Sequence, residues 1–238
     1  MGPIPRIRLV STSGKRVASR HAAEIPFVIP ALVVCASAVL VLLAAEWVGS
    51  APVKAIAKMV AATSFIAMAL ASGALASTYG SILLVGLGLC WIGDALLLSS
   101  GQSRVFLAGI GAFLLGHVAY SAAFWGLGLD PPGLLVGGLV GAGLALTGLR
   151  WLRSKVPDDF RIAVTSYVIV ISIMVATAVA AVVAGASWWL ALGALGFAVS
   201  DLFVARERFV KAGFLNAAIG LPLYFGSQLV LAWTARFG

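Results

Sequence analysis

The chain has 238 residues, of which 62% are hydrophobic and only 10% charged. Segments of about 20 apolar residues, each enough to cross a bilayer core, use nearly all of it and leave no room for a soluble domain. Its net charge of +8 sits in Lys and Arg residues flanking those segments, which suits phospholipid head groups and a topology bias; no aromatic and basic interleaving points to nucleic acid.

Residues 1–26 read as a basic, loosely ordered N-terminal arm with Arg6, Arg8, Lys15, Arg16 and Arg20. The apolar run after it exceeds the roughly 7–15 residues of a signal-peptide core, which predicts a retained first helix over about 27–47. Gly49-Ser50-Ala51-Pro52 closes that helix. A second helix is predicted over about 55–75, with Lys58 one turn inside its start, and a third over about 80–99, with Asp94 near its end. Gly101-Gln102-Ser103 breaks the chain before a fourth helix over about 104–129, which holds His117 and Tyr120. Asp130-Pro131-Pro132-Gly133 is a strong turn signal. A glycine-rich fifth helix over about 134–152 suits close packing in lipid. The sixth is expected over about 160–184 with Tyr167, and the seventh over about 188–205 with Ser200-Asp201. The last, over about 212–237, carries Asn216, Gly220, Tyr224 and Gln228 at every fourth position, hence on one stripe. The expected fold is all-α: a polytopic bundle of eight transmembrane helices forming one domain over 27–238. A four-plus-four repeat is suggested by an acidic site, a short basic loop and a later tyrosine in helices three–four and again in seven–eight.

Serial threading puts Asp94, Asp201, Lys58, Tyr167 and Asn216 within roughly 12 Å of one membrane face at 1.5 Å rise per residue. His117, Tyr120, Tyr224 and Gln228 fall deeper. An ionisable group in hydrocarbon costs roughly 2.5–3.5 kcal/mol on insertion scales, so two intramembrane aspartates are the main functional signal. Neighbouring carboxyls resist ionising together, which supplies an acid and a base from one residue type. Structural readings stand beside the functional ones: an Asp94–Lys58 ion pair, an Asp201 charge matched by Arg206 or Arg208, and a hydrogen-bonded core histidine at His117. Cys35 and Cys90 lie in apolar segments and read as small core residues. No HExxH or CxxC spacing supports a metal and no Gly-rich loop has a nucleotide-site context, so neither metal nor cofactor is expected.

At WIGDALLL, GHVAY, SDLFVARERF and LPLYFGSQ the sequence resembles the YhhN-like family of multi-pass membrane proteins, which includes the lysoplasmalogenases. The resemblance covers about residues 27–237, and its specificity lies in the ordered set: Lys in helix two, Gly-Asp in three, Gly-His-x-x-Tyr in four, Ser-Asp in seven, Tyr-x-x-x-Gln in eight. Lys58-Met59 stands where a lysine-proline pair is expected in many members. The resemblance implies hydrolysis of the vinyl ether bond of a lysoplasmalogen or related lysolipid, giving fatty aldehyde and a glycerophospho-alcohol. Asp94 and Asp201 would be catalytic, with Asp94 preferred as acid and Asp201 as base. Lys58, His117, Tyr120, Tyr167, Asn216, Tyr224 and Gln228 would line the pocket. The partners implied are a lysophospholipid substrate and membrane lipids, in a bacterial inner membrane.

A proton-coupled or lipid transporter would use the same ionisable residues as a relay. An intramembrane aspartyl protease is disfavoured, because the chain has Trp91-Ile92-Gly93-Asp94 in place of GxGD and Leu221-Pro222-Leu223 in place of PAL. The basic loops on the aspartate face predict a cytoplasmic pocket with both termini outside, whereas the basic arm argues the opposite orientation.

Overall fold

A computed structural model describes residues 12–99 and 104–238, with side chains from Val28 onward. Its elements are α1 (Thr12–Val48), α2 (Ala51–Ala71), α3 (Thr78–Leu96), α4 (Arg104–Trp125), α5 (Pro131–Leu152), α6 (Asp158–Val183), α7 (Trp189–Phe209) and α8 (Phe214–Trp233), with short 3₁₀ turns at Ala74–Ala76 and Thr234–Phe237. Eight stretches are long and apolar enough to cross a membrane, so the protein is an integral, multi-pass, all-α bundle. Of the expected basic arm, the first eleven residues lie outside the described residues, and residues 12–26 continue as helix into the first span. The expected Gly101-Gln102-Ser103 break also lies outside them.

Local chemistry explains where the boundaries move. Pro52 and the Pro131-Pro132 pair fall in the first turns of α2 and α5 instead of the preceding loops. Proline lacks only an N–H that is unpaired there anyway, and its fixed φ suits the helix start. Asp130 caps α5, its Oδ1 accepting from Gly133 N at 2.7 Å, and Ser77 caps α3 through Gly80 N at 3.0 Å. α7 runs on to Phe209, so Arg206 and Arg208 occupy its last turn and favour its dipole there. Lys58 consequently lies two turns inside α2.

Six helices form a ring in which each packs on the next: α2, α3, α4, α6, α7, α8 and back to α2. α1 lies outside against α2 and α8, and α5 lies outside along α6. Exchanging α2 with α6, α3 with α7 and α4 with α8 turns the ring halfway onto itself, the packing order that a four-plus-four repeat requires. Close approach within the ring needs small residues. A Cβ on Gly86 would sit 2.5 Å from the Tyr120 ring, and one on Gly93 2.6 Å from Phe113, so these two glycines let α3 take the α4 aromatics against its backbone.

Candidate active site

The ring encloses the polar groups singled out in the sequence. A cavity of about 500 Å³ opens at the pole where α1, α3, α5 and α7 end and α2, α4, α6 and α8 begin. Glu46 and Lys54 form an ion pair of 2.6 Å at its mouth. Lys58, Asp94, Tyr167, Asp201, Asn216 and Tyr224 all line it.

Asp94, 1% exposed, is held from two sides. Lys58 Nζ on α2 lies 3.1 Å from its Oδ1, and the Tyr224 hydroxyl on α8 donates to Oδ2 at 2.6 Å. Behind Tyr224 the chain of bonds continues: Gln228 Nε2 donates to the Tyr224 hydroxyl at 3.2 Å, and the Tyr120 hydroxyl donates to Gln228 Oε1 at 2.8 Å. Tyr120 and Gln228 are fully buried and stand behind the cavity wall, reaching Asp94 only through Tyr224. This chain fixes the Asp94 carboxylate plane and satisfies every side-chain polar atom along it, as a buried network must.

Asp201 has a different partner. The Tyr167 hydroxyl donates to its Oδ2 at 2.5 Å, and no cation pairs with it among the described residues. Arg206 and Arg208, the partners weighed for it from sequence, are engaged elsewhere. Arg206 donates to Asn216 Oδ1 at 2.5 Å, and Arg208 stacks over Phe106 with its guanidinium carbon 4.6 Å from the ring centre. In the ring's half-turn symmetry α2–α3 corresponds to α6–α7, so Lys58–Asp94 and Tyr167–Asp201 are equivalent pairs. One aspartate meets an ammonium, the other a phenol.

Asn216 lines the cavity, yet its amide is committed to the α7–α8 loop. Its Nδ2 donates to Glu207 Oε2 at 2.6 Å and to the Lys211 carbonyl at 2.8 Å, besides the Arg206 contact. The geometry makes it a loop clamp. His117 is fully buried, with its ring centre 4.6 Å from Phe197 and 5.2 Å from Tyr167, and neither ring nitrogen meets a hydrogen-bond partner among the described residues. It backs the Tyr167 side of the cavity without lining it. Phe113 and Phe197, not singled out from sequence, stand edge-on to Tyr224 at 5.9 and 5.2 Å. A signal for them existed: Phe113 is four residues before His117 and Phe197 four before Asp201, hence on the same helix faces. Among the described residues no cluster of His, Cys, Asp or Glu could hold a metal ion.

Eight spans around an apolar cavity lined by Asp94 and Asp201 define an integral membrane protein with carboxyls set inside its spans. The family model of the YhhN family matches residues 53–235, and the chain belongs to that family. Among similar proteins, a Bos taurus protein named lysoplasmalogenase TMEM86A is 34% identical over 159 residues, 63% of each chain. The Homo sapiens lysoplasmalogenase TMEM86A is 35% identical over the same length, again 63% of each. A Mycobacterium tuberculosis lysoplasmalogenase is 33% identical over 137 residues, 56% of this chain and 51% of that one. The match thus spans less than two thirds of these relatives. No solved structure matches the chain.

Proposed function

We propose that the protein is a lysoplasmalogenase-like hydrolase that cleaves the vinyl ether bond of a single-chain ether lysolipid by paired aspartate catalysis. The observation that carries this reading is two carboxyls lining one largely apolar cavity from opposite helices of the ring, one neutralised by Lys58 and one not. The names of its relatives support the reaction class.

The pairing favours the opposite of the assignment preferred from sequence. Asp94 faces an ammonium that compensates a carboxylate, which suits a base and a stabiliser of positive charge. Asp201 meets only a neutral phenol, and a carboxyl in an apolar wall without a counter-charge is the better proton carrier. Asp201 gives its proton to the β-carbon of the vinyl ether, leaving an oxocarbenium ion at the oxygen-bearing carbon. Asp94 takes a proton from water as the water oxygen bonds that carbon. The hemiacetal then collapses: Asp94 returns its proton to the glycerol oxygen as the carbon–oxygen bond breaks and the alcohol leaves, and Asp201 takes the hemiacetal hydroxyl proton, which leaves the aldehyde and restores both carboxyls. Water is the only co-reactant. Tyr167 and Tyr224 orient the two carboxyls through the hydrogen bonds described, and Lys58 holds the negative charge of Asp94 in place.

Running the reaction in deuterium oxide tests this sequence of steps. Protonation at the β-carbon places one deuterium on carbon 2 of the released aldehyde, detectable by mass spectrometry. Aldehyde released without that deuterium would rule out the proton transfer assigned to Asp201.

A further inference from the structure

The cavity is larger than an acid–base pair needs, and its far part lies on the lipid side of the ring. Leu195, Val199 and Leu202 of α7 line it and are nevertheless 37%, 42% and 47% exposed. Their spacing of four and three residues puts them on one face. Opposite them the lining comes from Leu144 and Gly148 of α5 and from α6. α5 packs along α6 and makes no extended contact with α7, so the wall between α5 and α7 is left open within the span region. The channel starts at the catalytic pair, since Leu202 follows Asp201 and the α6 lining continues from Tyr167. From Asp201 to Leu195 it runs about 9 Å along the helix axis at 1.5 Å per residue.

We propose that this lateral opening between α5 and α7 is the binding channel for the single hydrocarbon chain of the lysolipid, entered sideways from the bilayer. The proposal deepens the hydrolase reading and rests on it for the identity of the ligand. Three observations commit the channel to this occupant. The walls are apolar, which suits a chain and excludes a head group. The channel is continuous with the carboxyl pair, so a chain lying in it brings its first carbons to Asp201 and its polar end toward the mouth at Glu46 and Lys54. Gly148 keeps the α5 wall bare at the level of the carboxyls: a Cβ there would already meet the Val168 side chain at 3.1 Å, so a larger residue has to project into the lumen or push α5 off α6.

The test is photo-crosslinking in nanodiscs with an alkyl-ether lysolipid carrying a diazirine on its chain. That probe has no vinyl bond and reports binding without turnover. Crosslinks mapped by mass spectrometry are expected on α7 around Leu195 and Val199 and on α5 around Leu144. Unlabelled single-chain lysolipid should compete them away, and excess two-chain phospholipid should not. Gly148→Leu should cut the labelling at least fivefold, and Leu195→Trp, which blocks the opposite wall, should do the same if the first variant fails to fold. Label spread over the outer faces of α1 and α5, or label indifferent to competitor and to either folded variant, would overturn the channel. Labelling at these residues in a protein that releases no aldehyde would uphold the channel and count against the hydrolase reading alone.

Discussion

At Asp94 the carboxylate meets an ammonium, and at Asp201 a phenol, although α3 and α7 hold equivalent places in the ring. On the proposed mechanism that difference gives two residues of one type two tasks. Replacing either aspartate by asparagine keeps the shape and removes the proton chemistry, so Asp94→Asn and Asp201→Asn should each lower kcat by about 10²–10⁴-fold, the range for a positioned acid or base. Lys58 has a second consequence, for stability. Its side chain is 12% exposed and that of Asp94 2%, and removing one partner of a buried pair typically costs about 3–5 kcal/mol. Lys58→Met should therefore destabilise the protein by that amount in detergent unfolding, whereas the double variant Lys58→Met/Asp94→Asn should recover most of it and stay inactive. A double variant no more stable than the single one would show that the pair contributes little. The site was legible in the sequence to the extent that its members are polar in an apolar chain. Asp94, Asp201, Lys58, Tyr167 and Tyr224 stand out for that reason and converge on one cavity. Their pairing was not legible, because spacing fixes depth along the membrane normal and leaves the neighbour across the ring open. Arg206 and Arg208 follow Asp201 by only five and seven residues and were within reach of it by sequence, and the fold sends them to Asn216 and Phe106.

At the scale of elements, the α5–α6 hairpin shows how glycine places a helix. Gly133, Gly137 and Gly141 sit directly against the carbonyls of Ala180, Ala176 and Ser172, whereas Gly138 has open space around it. Overpacking a close contact costs about 1–3 kcal/mol. Gly141→Val should thus lower the unfolding midpoint in detergent, and Gly138→Ala, on the exposed face, should leave stability within about 0.5 kcal/mol. Equal effects at the two positions would mean that the hairpin is not held by this contact. The helices themselves could be read from composition, caps and proline positions, apart from shifts of a turn at their ends. Which helix touches which could not. Spans that are apolar all round carry no stripe to mark the buried face, so the ring order, and with it Phe113, Phe197 and the α5 wall of the cavity, came only from the fold.

Across the whole molecule, charge is divided between the poles. Lys54, Arg104, Arg150, Arg153, Lys155, Arg206, Arg208 and Lys211 lie at the ends where the cavity opens, whereas the described loops at the other pole hold Asp130 as their charged residue. By the positive-inside bias these loops predict a mouth facing the cytoplasm and a C-terminus outside, the orientation that the basic residues ahead of the first span and Arg236 oppose. A reporter fused after Gly238 should then be active only outside the cytoplasm; activity only inside would invert the molecule and the leaflet from which substrate enters. The pole, the cavity and the aspartate pair come together in one claim, hydrolysis of a lysolipid vinyl ether by two intramembrane carboxyls. Aldehyde release from a lysoplasmalogen by the purified protein in detergent, beside Asp94→Asn and Asp201→Asn protein of equal folding, tests it most directly. Release by the unaltered protein and its loss in both variants are expected. A folded protein that releases no aldehyde, or a variant that keeps releasing it, would contradict it.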